Sequence, residues 1–410
     1  MCGIAGFCNF KEDFEENTDY WNFRLEKMRA VLAHRGNDAR GRYLKKHIGL
    51  SHSRLAIRDI LCGDQPMTRT HNGYEYTICY NGEIYNTDEL IPELSENGFV
   101  CSTTSDTEVI LYAYIHWGAD FVNRLNGIFA FAIWDSAKSR LLLYRDRVGV
   151  KPLFYAIRGD SLVFGSEPKA CFAHPAVKPE LDKQGLQELL AIGPAHTSGL
   201  SLFKDLFEVL PGHFMIYSQD GLHDETYWEL TSQEHTESYR DTVAHTRFLV
   251  EDAIKRQMVS DVPVCTFLSG GIDSSIVTAI AANYMNTRGK TLNTFSFDFK
   301  DNDRYFKANA FQPERDLPYV NRMLEEYETA HSYLECDENS LFKALFAAVD
   351  AKDMPGMTDV DSSLLYFCSL VSRKNKVALT GECADEIFGG YPWFYRKELL
   401  ERYGFPWSSD

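Results

Sequence analysis

The sequence predicts two unlike halves: a mixed α and antiparallel β unit over residues 1–228, then an α/β unit with a parallel sheet over 239–410. Three observations carry the prediction. In the first half, apolar runs are separated by short turns. Gly127 to Asp135 (GIFAFAIWD) and Arg140 to Tyr144 (RLLLY) flank the turn Asp135 to Ser139, while Leu153 to Ile157 and Ser161 to Gly165 flank Arg158-Gly159-Asp160. Runs this close return beside one another as hairpins. In the second half, apolar strands alternate with helical patterns, which argues for parallel strands joined by crossover helices. Between the halves, the polar stretch Thr231 to Ser238 (TSQEHTES) has no apolar residue to bury and reads as a linker.

The remaining elements follow in order. Amphipathic helices are predicted near Tyr20 to Leu32, Asp106 to Trp117 and Asp182 to Ala191. Thr103 or Ser105 supplies a capping oxygen for the second of these. After the linker come a helix (Tyr239 to Gln257), a buried strand (Val262 to Leu268), a glycine-rich turn and a helix (Ser274 to Tyr284). Strands at Thr291 to Phe297 and Lys376 to Thr380 follow, with helices near Pro318 to Tyr327, Ser340 to Val349 and Ser362 to Lys374. No internal repeat is visible.

At 410 residues the chain can bury two cores. Its 59 acidic side chains against 42 basic give a net charge of −17, which fits solubility and disfavours wrapping phosphodiester backbones. No nucleic-acid partner is expected. Ten cysteines occur without C-x-x-C pairs, so neither a zinc site nor a disulfide framework is indicated. The start lacks a basic region followed by an apolar run, and no stretch is long enough to span a bilayer. The expectation is a cytoplasmic chain with reduced cysteines and no membrane partner.

The most chemical position is the second: Met1-Cys2-Gly3-Ile4-Ala5-Gly6-Phe7. Removal of Met1 would give Cys2 a thiol and a free α-amine together. An unprotonated amine beside the sulfur can act as its own general base. Separated segments offer what such a thiol needs to cleave an amide. Arg54, in Ser53-Arg54-Leu55-Ala56-Ile57, can clamp a carboxylate. Asn81 and Gly82, in Tyr80-Asn81-Gly82-Glu83-Ile84-Tyr85-Asn86, offer an amide donor and a backbone N–H for an oxyanion hole. Glu83 and Asp106 can hold a substrate ammonium. Each piece has a plain alternative: Asn-Gly is a turn signal, Asp106 suits a helix start, and Arg54 could be a surface ion pair.

The opening Cys2-Gly3-Ile4, His34-Arg35-Gly36, Arg54 to Ile57, Asn81 to Asn86 and Ser105 to Glu108 resemble the N-terminal-nucleophile type of glutamine amidotransferase domain. So do Arg145-Asp146-Arg147, Lys151-Pro152-Leu153 with Tyr155, and Pro211-Gly212. Asn37 and Ser53 stand where the family has other residues. The resemblance implies a four-layer αββα sandwich. It further implies Cys2 as nucleophile through a γ-glutamyl thioester, Asn81 and Gly82 as oxyanion hole, and Arg54, Asn81, Gly82, Glu83 and Asp106 around glutamine.

In the second half, Ser269-Gly270-Gly271-Ile272-Asp273-Ser274-Ser275 follows an apolar strand and opens a helix, the makings of a phosphate site. It lacks the lysine of a G-x-x-x-x-G-K-[ST] loop, which favours gripping pyrophosphate over moving a γ-phosphoryl group. Asp273 inside such a loop repels phosphate unless a cation intervenes, so it reads as a Mg²⁺ ligand. A second acidic cluster, Thr380-Gly381-Glu382-Cys383-Ala384-Asp385-Glu386, follows the strand ending at Thr380. Two such loops at the carboxyl edge of a parallel sheet would meet.

This half resembles the ATP-pyrophosphatase domain of asparagine synthetases, through the Ser269 to Ser274 loop and the run Gly381 to Tyr391. The resemblance implies ATP contacts from Leu268, Ser269, Gly270, Gly271, Asp273, Ser274, Phe297, Thr380 and Gly381. It also implies Mg²⁺ at Asp273 and Asp385, and Glu382 beside the activated acyl group. The chain ends at Phe405 to Asp410, earlier than such synthetases do, so the expectation is a shortened second domain.

The activity implied is glutamine-dependent synthesis of asparagine from aspartate and ATP through β-aspartyl-AMP. Two alternatives stand beside it: a related amidation of another carboxylate, and a glutaminase-only or regulatory fragment. A homodimer is compatible with any of these.

Overall fold

The computed structural model describes residues 1–308 and 314–401. Two antiparallel six-stranded sheets form the frame of the first unit. The first sheet holds β1 (Gly3–Asn9), β2 (Ala39–Lys45), β3 (Ile48–Arg54), β8 (Phe154–Arg158), β9 (Ser161–Gly165) and β10 (Phe207–Glu208), in the order β10-β8-β9-β1-β3-β2. The second holds β4 (Met67–His71), β5 (Tyr74–Ile84), β6 (Gly127–Asp135), β7 (Arg140–Arg145), β11 (His213–Ser218) and β12 (Gly221–Thr226), in the order β12-β11-β7-β6-β5-β4.

The apolar run of β6 explains the layering. Alternate side chains of a strand point to opposite faces. Phe129, Phe131 and Ile133 pack with Val109, Ile110 and Tyr114 of the Asp106–Trp117 helix. Ala130, Ala132 and Trp134, one step out of phase, pack with Ile4, Cys8, Ile48 and Leu50 of the other sheet. Ala130 and Ala132 leave room for the sheet partner, and Phe129 and Phe131 fill the space beneath the helices. On the far side of the first sheet, Ala5 and Phe7 pack against Trp21, Leu25 and Met28 of the Thr18–Ala30 helix. Helix, sheet, sheet and helix therefore stack as the αββα sandwich that the resemblance implied.

Several elements fall where their residues predicted. The Asp106–Trp117 helix is capped by Ser105, whose hydroxyl accepts from the Thr107 N–H. Asp182 caps the Lys183–Ala191 helix. The five strands before residue 85 are less apolar than β6, and the hairpins after 127 gave them no sequence counterpart. Asn72 (φ 50°) and Gly73 (φ 81°) turn the β4–β5 hairpin. Asn81-Gly82, the same dipeptide, instead lies mid-strand, paired with Ala130 and Phe129 of β6.

The second unit is built on a wholly parallel sheet, β15-β14-β13-β16: Thr329–Cys336, Leu292–Phe299, Val264–Phe267 and Val377–Leu379. Edge strand β15 (TAHSYLEC) went unread because its polar residues break the apolar run, as an edge position permits. Helices Tyr239–Arg256 and Ile272–Asn286 precede and follow β13. By compactness the chain divides into Met1–Thr236 with Leu345–Asp361, and Glu237–Ala344 with the residues from Ser362 onward. The terminal residues Phe405 to Asp410 lie outside those described.

Candidate functional site

The parity of the strands gathers the first unit's polar residues. On β1, Ile4 and Cys8 face between the sheets, and one further step of that alternation sends Cys2 the same way. On β3, Ile48 and Leu50 share that face, so His52 and Arg54 follow them. On β5, Cys79 faces inward, so Asn81 does too, while Tyr80 turns to the helix layer. Cys2, His52, Arg54 and Asn81 thus occupy one inter-sheet layer. His52 bridges it, its Nε2–H donating to the Tyr80 carbonyl at 3.0 Å.

The Cys2 sulfur lies against Leu55, accepting from its N–H at 3.4 Å and meeting its carbonyl at 3.6 Å. Burial raises the thiol's pKa, and the Leu55 N–H pulls against it. Burial also draws the Met1 α-amine down to about 5, with the charges of Arg35 and Lys151 pushing the same way. Arg35 Nε donates to the Cys2 carbonyl at 2.9 Å, and its Nη1 to Glu167 at 2.6 Å, which fixes the backbone of the nucleophile candidate.

Asn81 is 1% exposed, and its Nδ2 has no hydrogen-bond partner among the described residues. A buried amide donor left unpaired is destabilising unless something accepts from it. Gly82 is obligatory beside it, since a Cβ there would meet the Ile128 carbonyl at 2.3 Å. Glu83 stands close enough for its charge to act on the Met1 amine and the Cys2 thiol. Asp106 is 5% exposed and sits at the first turn of its helix. It accepts from Tyr80 at 2.9 Å and from the Ile84 N–H at 3.0 Å; burial raises its pKa.

Arg54, 5% exposed, directs Nη1 to Asp64 at 2.9 Å and to the Ile60 carbonyl at 3.1 Å, and Nη2 to the carbonyls of Arg58 and Asp59. Its guanidinium holds the 58–64 loop, and a substrate carboxylate would share it with Asp64. Sequence reasoning missed two cations. Arg58 reaches the Ile84 carbonyl at 2.8 Å and lies 4.0 Å from Asp106. Lys151, buried, has its Nζ 3.2 Å from the Met1 sulfur. The Lys151-Pro152-Leu153 motif was visible, but nothing in its spacing tied it to residue 2.

In the second unit, Ser269-Gly270-Gly271 joins β13 to the Ile272–Asn286 helix. Gly270 takes φ 86° against the Asp316 carbonyl, a conformation that favours glycine. The Ser274 hydroxyl accepts from the Ser269 N–H at 3.2 Å and donates to the Gly271 carbonyl at 3.1 Å, so the loop folds onto its own helix start. Gly381 packs directly on it: a Cβ there would come within 2.8 Å of the Asp273 Cβ and the Ser274 N. That contact joins the two acidic clusters. The Asp273 carboxyl is raised by burial and then by the charge of Asp385. Two carboxylates that repel each other beside a glycine-rich loop suit a divalent cation shared with phosphate oxygens. Glu382 is exposed, its N–H 3.4 Å from the Thr380 hydroxyl. Leu268 donates its N–H to the Phe295 carbonyl at 2.8 Å, and the Phe297 ring meets that of Phe367 at 5.1 Å, tilted by 46°. Leu268, Ser269, Phe297, Tyr333 and Phe367 line a cavity of about 140 Å³.

The first unit's layering defines a sandwich of the N-terminal-nucleophile type, followed by a parallel α/β unit. Family models agree: that for the glutamine amidotransferase domain matches residues 1–228, and that for asparagine synthase matches 245–409. Asparagine synthetase [glutamine-hydrolyzing] 3 of Bacillus subtilis is 48% identical over 411 residues, covering the whole of this chain and 66% of its own length. A putative asparagine synthetase [glutamine-hydrolyzing] 2 of Methanocaldococcus jannaschii is 32% identical over 95% of this chain and 76% of its own. Amidase chyE of Penicillium rubens is 31% identical over all of this chain and 62% of its own. The chain belongs to the glutamine-hydrolysing asparagine synthetase family. It spans 66% and 60% of the length of the asparagine synthetases 3 and 1 of Bacillus subtilis, somewhat less than two thirds of either. Among the described residues, no helix is long and apolar enough to cross a membrane.

Proposed function

We propose that the chain carries out the two half-reactions of glutamine-dependent asparagine synthesis, residues 1–228 hydrolysing glutamine and residues 239–410 activating aspartate with ATP. The observation that carries the first half is the unpaired Asn81 Nδ2, buried in the same layer as Cys2. Once Met1 is removed, the Cys2 amine takes the thiol proton and sulfur adds to the γ-carboxamide carbon of glutamine. Asn81 Nδ2 and the Gly82 N–H donate to the oxygen as it gains charge. The C–N bond breaks, the amine returns the proton to nitrogen, and ammonia leaves a γ-glutamyl thioester. Water then releases glutamate and restores the thiol. Glu83 and Asp106 receive the substrate ammonium, and Arg54 its carboxylate.

In the second half, the loop Ser269 to Ser274 with Thr380-Gly381 grips the phosphates, and Leu268 and Phe297 border the base. Asp273 and Asp385 would hold Mg²⁺, which would neutralise the phosphate charge when bound; the like-charge effect of Asp385 on Asp273 supports this. Aspartate attacks the α-phosphorus, pyrophosphate leaves, and ammonia displaces AMP from β-aspartyl-AMP, with Glu382 beside the acyl group taking a proton. Ten free cysteines support a reducing, cytoplasmic setting. The full-length likeness to a fungal amidase keeps another carboxylate in view as acceptor.

An adenylate trap separates these readings: ATP and hydroxylamine are supplied with a panel of acids. Aspartate-dependent hydroxamate and pyrophosphate are expected; formation with a different acid alone would reassign the acceptor, and none with any acid would leave only the glutaminase.

A further inference from the structure

Lys151 is an ammonium that burial should have excluded. It is 9% exposed, and among the described residues no carboxylate lies within ion-pair distance of it. Its Nζ contact is the Met1 thioether at 3.2 Å, a weak acceptor. Burial lowers the lysine's pKa, and the charge of Arg35 pushes the same way. The backbone around it is rigid: its N–H donates to Asp146 at 3.0 Å and its carbonyl accepts from Arg145 at 3.1 Å. Arg145 is in turn paired with Glu208 at 2.9 Å. Such a charge is kept in place by its backbone, and it is kept beside residue 1.

We propose that Lys151 is a positioning residue of the thiol site: its ammonium holds the Cys2 α-amine as the free base and draws the thiol toward thiolate. The proposal rests on the glutaminase reading above. Removal of Met1 takes away the thioether, whereas the lysine already acts through space on the chain-start amine and is itself acted on by the Cys2 thiol. A like charge nearby disfavours protonation of an amine, and an opposite charge favours a thiolate. Arg35, Arg54, Glu83 and Asp146 also act on this group of charges. Arg35 is neutralised by Glu167 at 2.6 Å and Arg54 by Asp64 at 2.9 Å, whereas Glu83 opposes the lysine. Lys151 is therefore the cation without an ion-pair partner among the described residues, offset only through space by Glu83 and Asp146, and removing it should let Glu83 dominate.

The test compares wild type with Lys151→Met, Lys151→Gln and Lys151→Arg, each as the full chain with Cys2 confirmed as first residue by mass. Alkylation of Cys2 by iodoacetamide is followed against pH by mass spectrometry, with the exposed Cys62 and Cys383 as internal references. In both uncharged variants the Cys2 midpoint should rise by about one pH unit, slowing alkylation at pH 7 roughly tenfold. Lys151→Arg should restore the wild-type midpoint, and the references should not move. Superimposed profiles would overturn the proposal, as would an equal shift in Lys151→Arg, which would make shape the lever. If Lys151→Met fails to fold, Lys151→Gln decides. Glutamine hydrolysis is measured alongside: an inert wild type breaks the glutaminase reading, while the alkylation profile still decides the lysine.

Discussion

The proposed thiol site and the proposed nucleotide site place their polar groups by opposite means. In the first unit they sit on strands: Asn81 and Gly82 lie mid-β5, Arg54 ends β3, and alternation decides which way each points. In the second they sit on loops at strand ends, where Gly270 and Gly381 let backbone approach backbone. The first site is buried and held by a lattice of hydrogen bonds. The second leaves Glu382 exposed and Asp273 facing a like charge. A preformed donor set suits a developing oxyanion, which needs groups fixed before charge appears. Loops with mutually repelling carboxylates suit a ligand that arrives with its own cation.

The comparison can be broken at its strongest point. Asn81→Ala removes a donor that pairs with nothing among the described residues, so it should lower glutaminase kcat by roughly 10²–10³ with little change in KM. Its melting temperature should hold, since no protein hydrogen bond is lost. Steady-state kinetics with a thermal melt checks this, and a variant with raised KM and unchanged kcat would make Asn81 an ordinary binding group. A smaller effect is expected in the second unit. Asp273→Asn should weaken ATP binding about tenfold with Mg²⁺ present, yet leave or improve it when chelator removes the metal, because the carboxylate then only repels phosphate. Equal loss under both conditions, read by equilibrium binding, would remove the cation from the site.

The same contrast explains what the chain discloses in sequence. The second site was readable because its chemistry is local: a strand, a glycine-rich loop and a helix start lie within a few residues. The hairpins and the Asp106–Trp117 helix were readable from apolar runs and caps. The register of β3 and β5 was not, because these strands carry buried polar residues that interrupt the apolar pattern. Asn72-Gly73 and Asn81-Gly82 show the limit: one dipeptide turns a hairpin, the other lies inside a strand, and only their pairing partners differ. Lys151 and Arg58 were invisible as site residues because their neighbours, Met1 and Asp106, are far away in sequence.

The central claim is that a processed Cys2 attacks glutamine. Acid quenching during turnover, followed by mass analysis of the N-terminal peptide, tests it most directly. The account predicts a γ-glutamyl adduct on a peptide beginning at Cys2, absent from Cys2→Ala and from chains that keep Met1. Glutamine hydrolysis at the wild-type rate by either of those chains, with no adduct at residue 2, would contradict it.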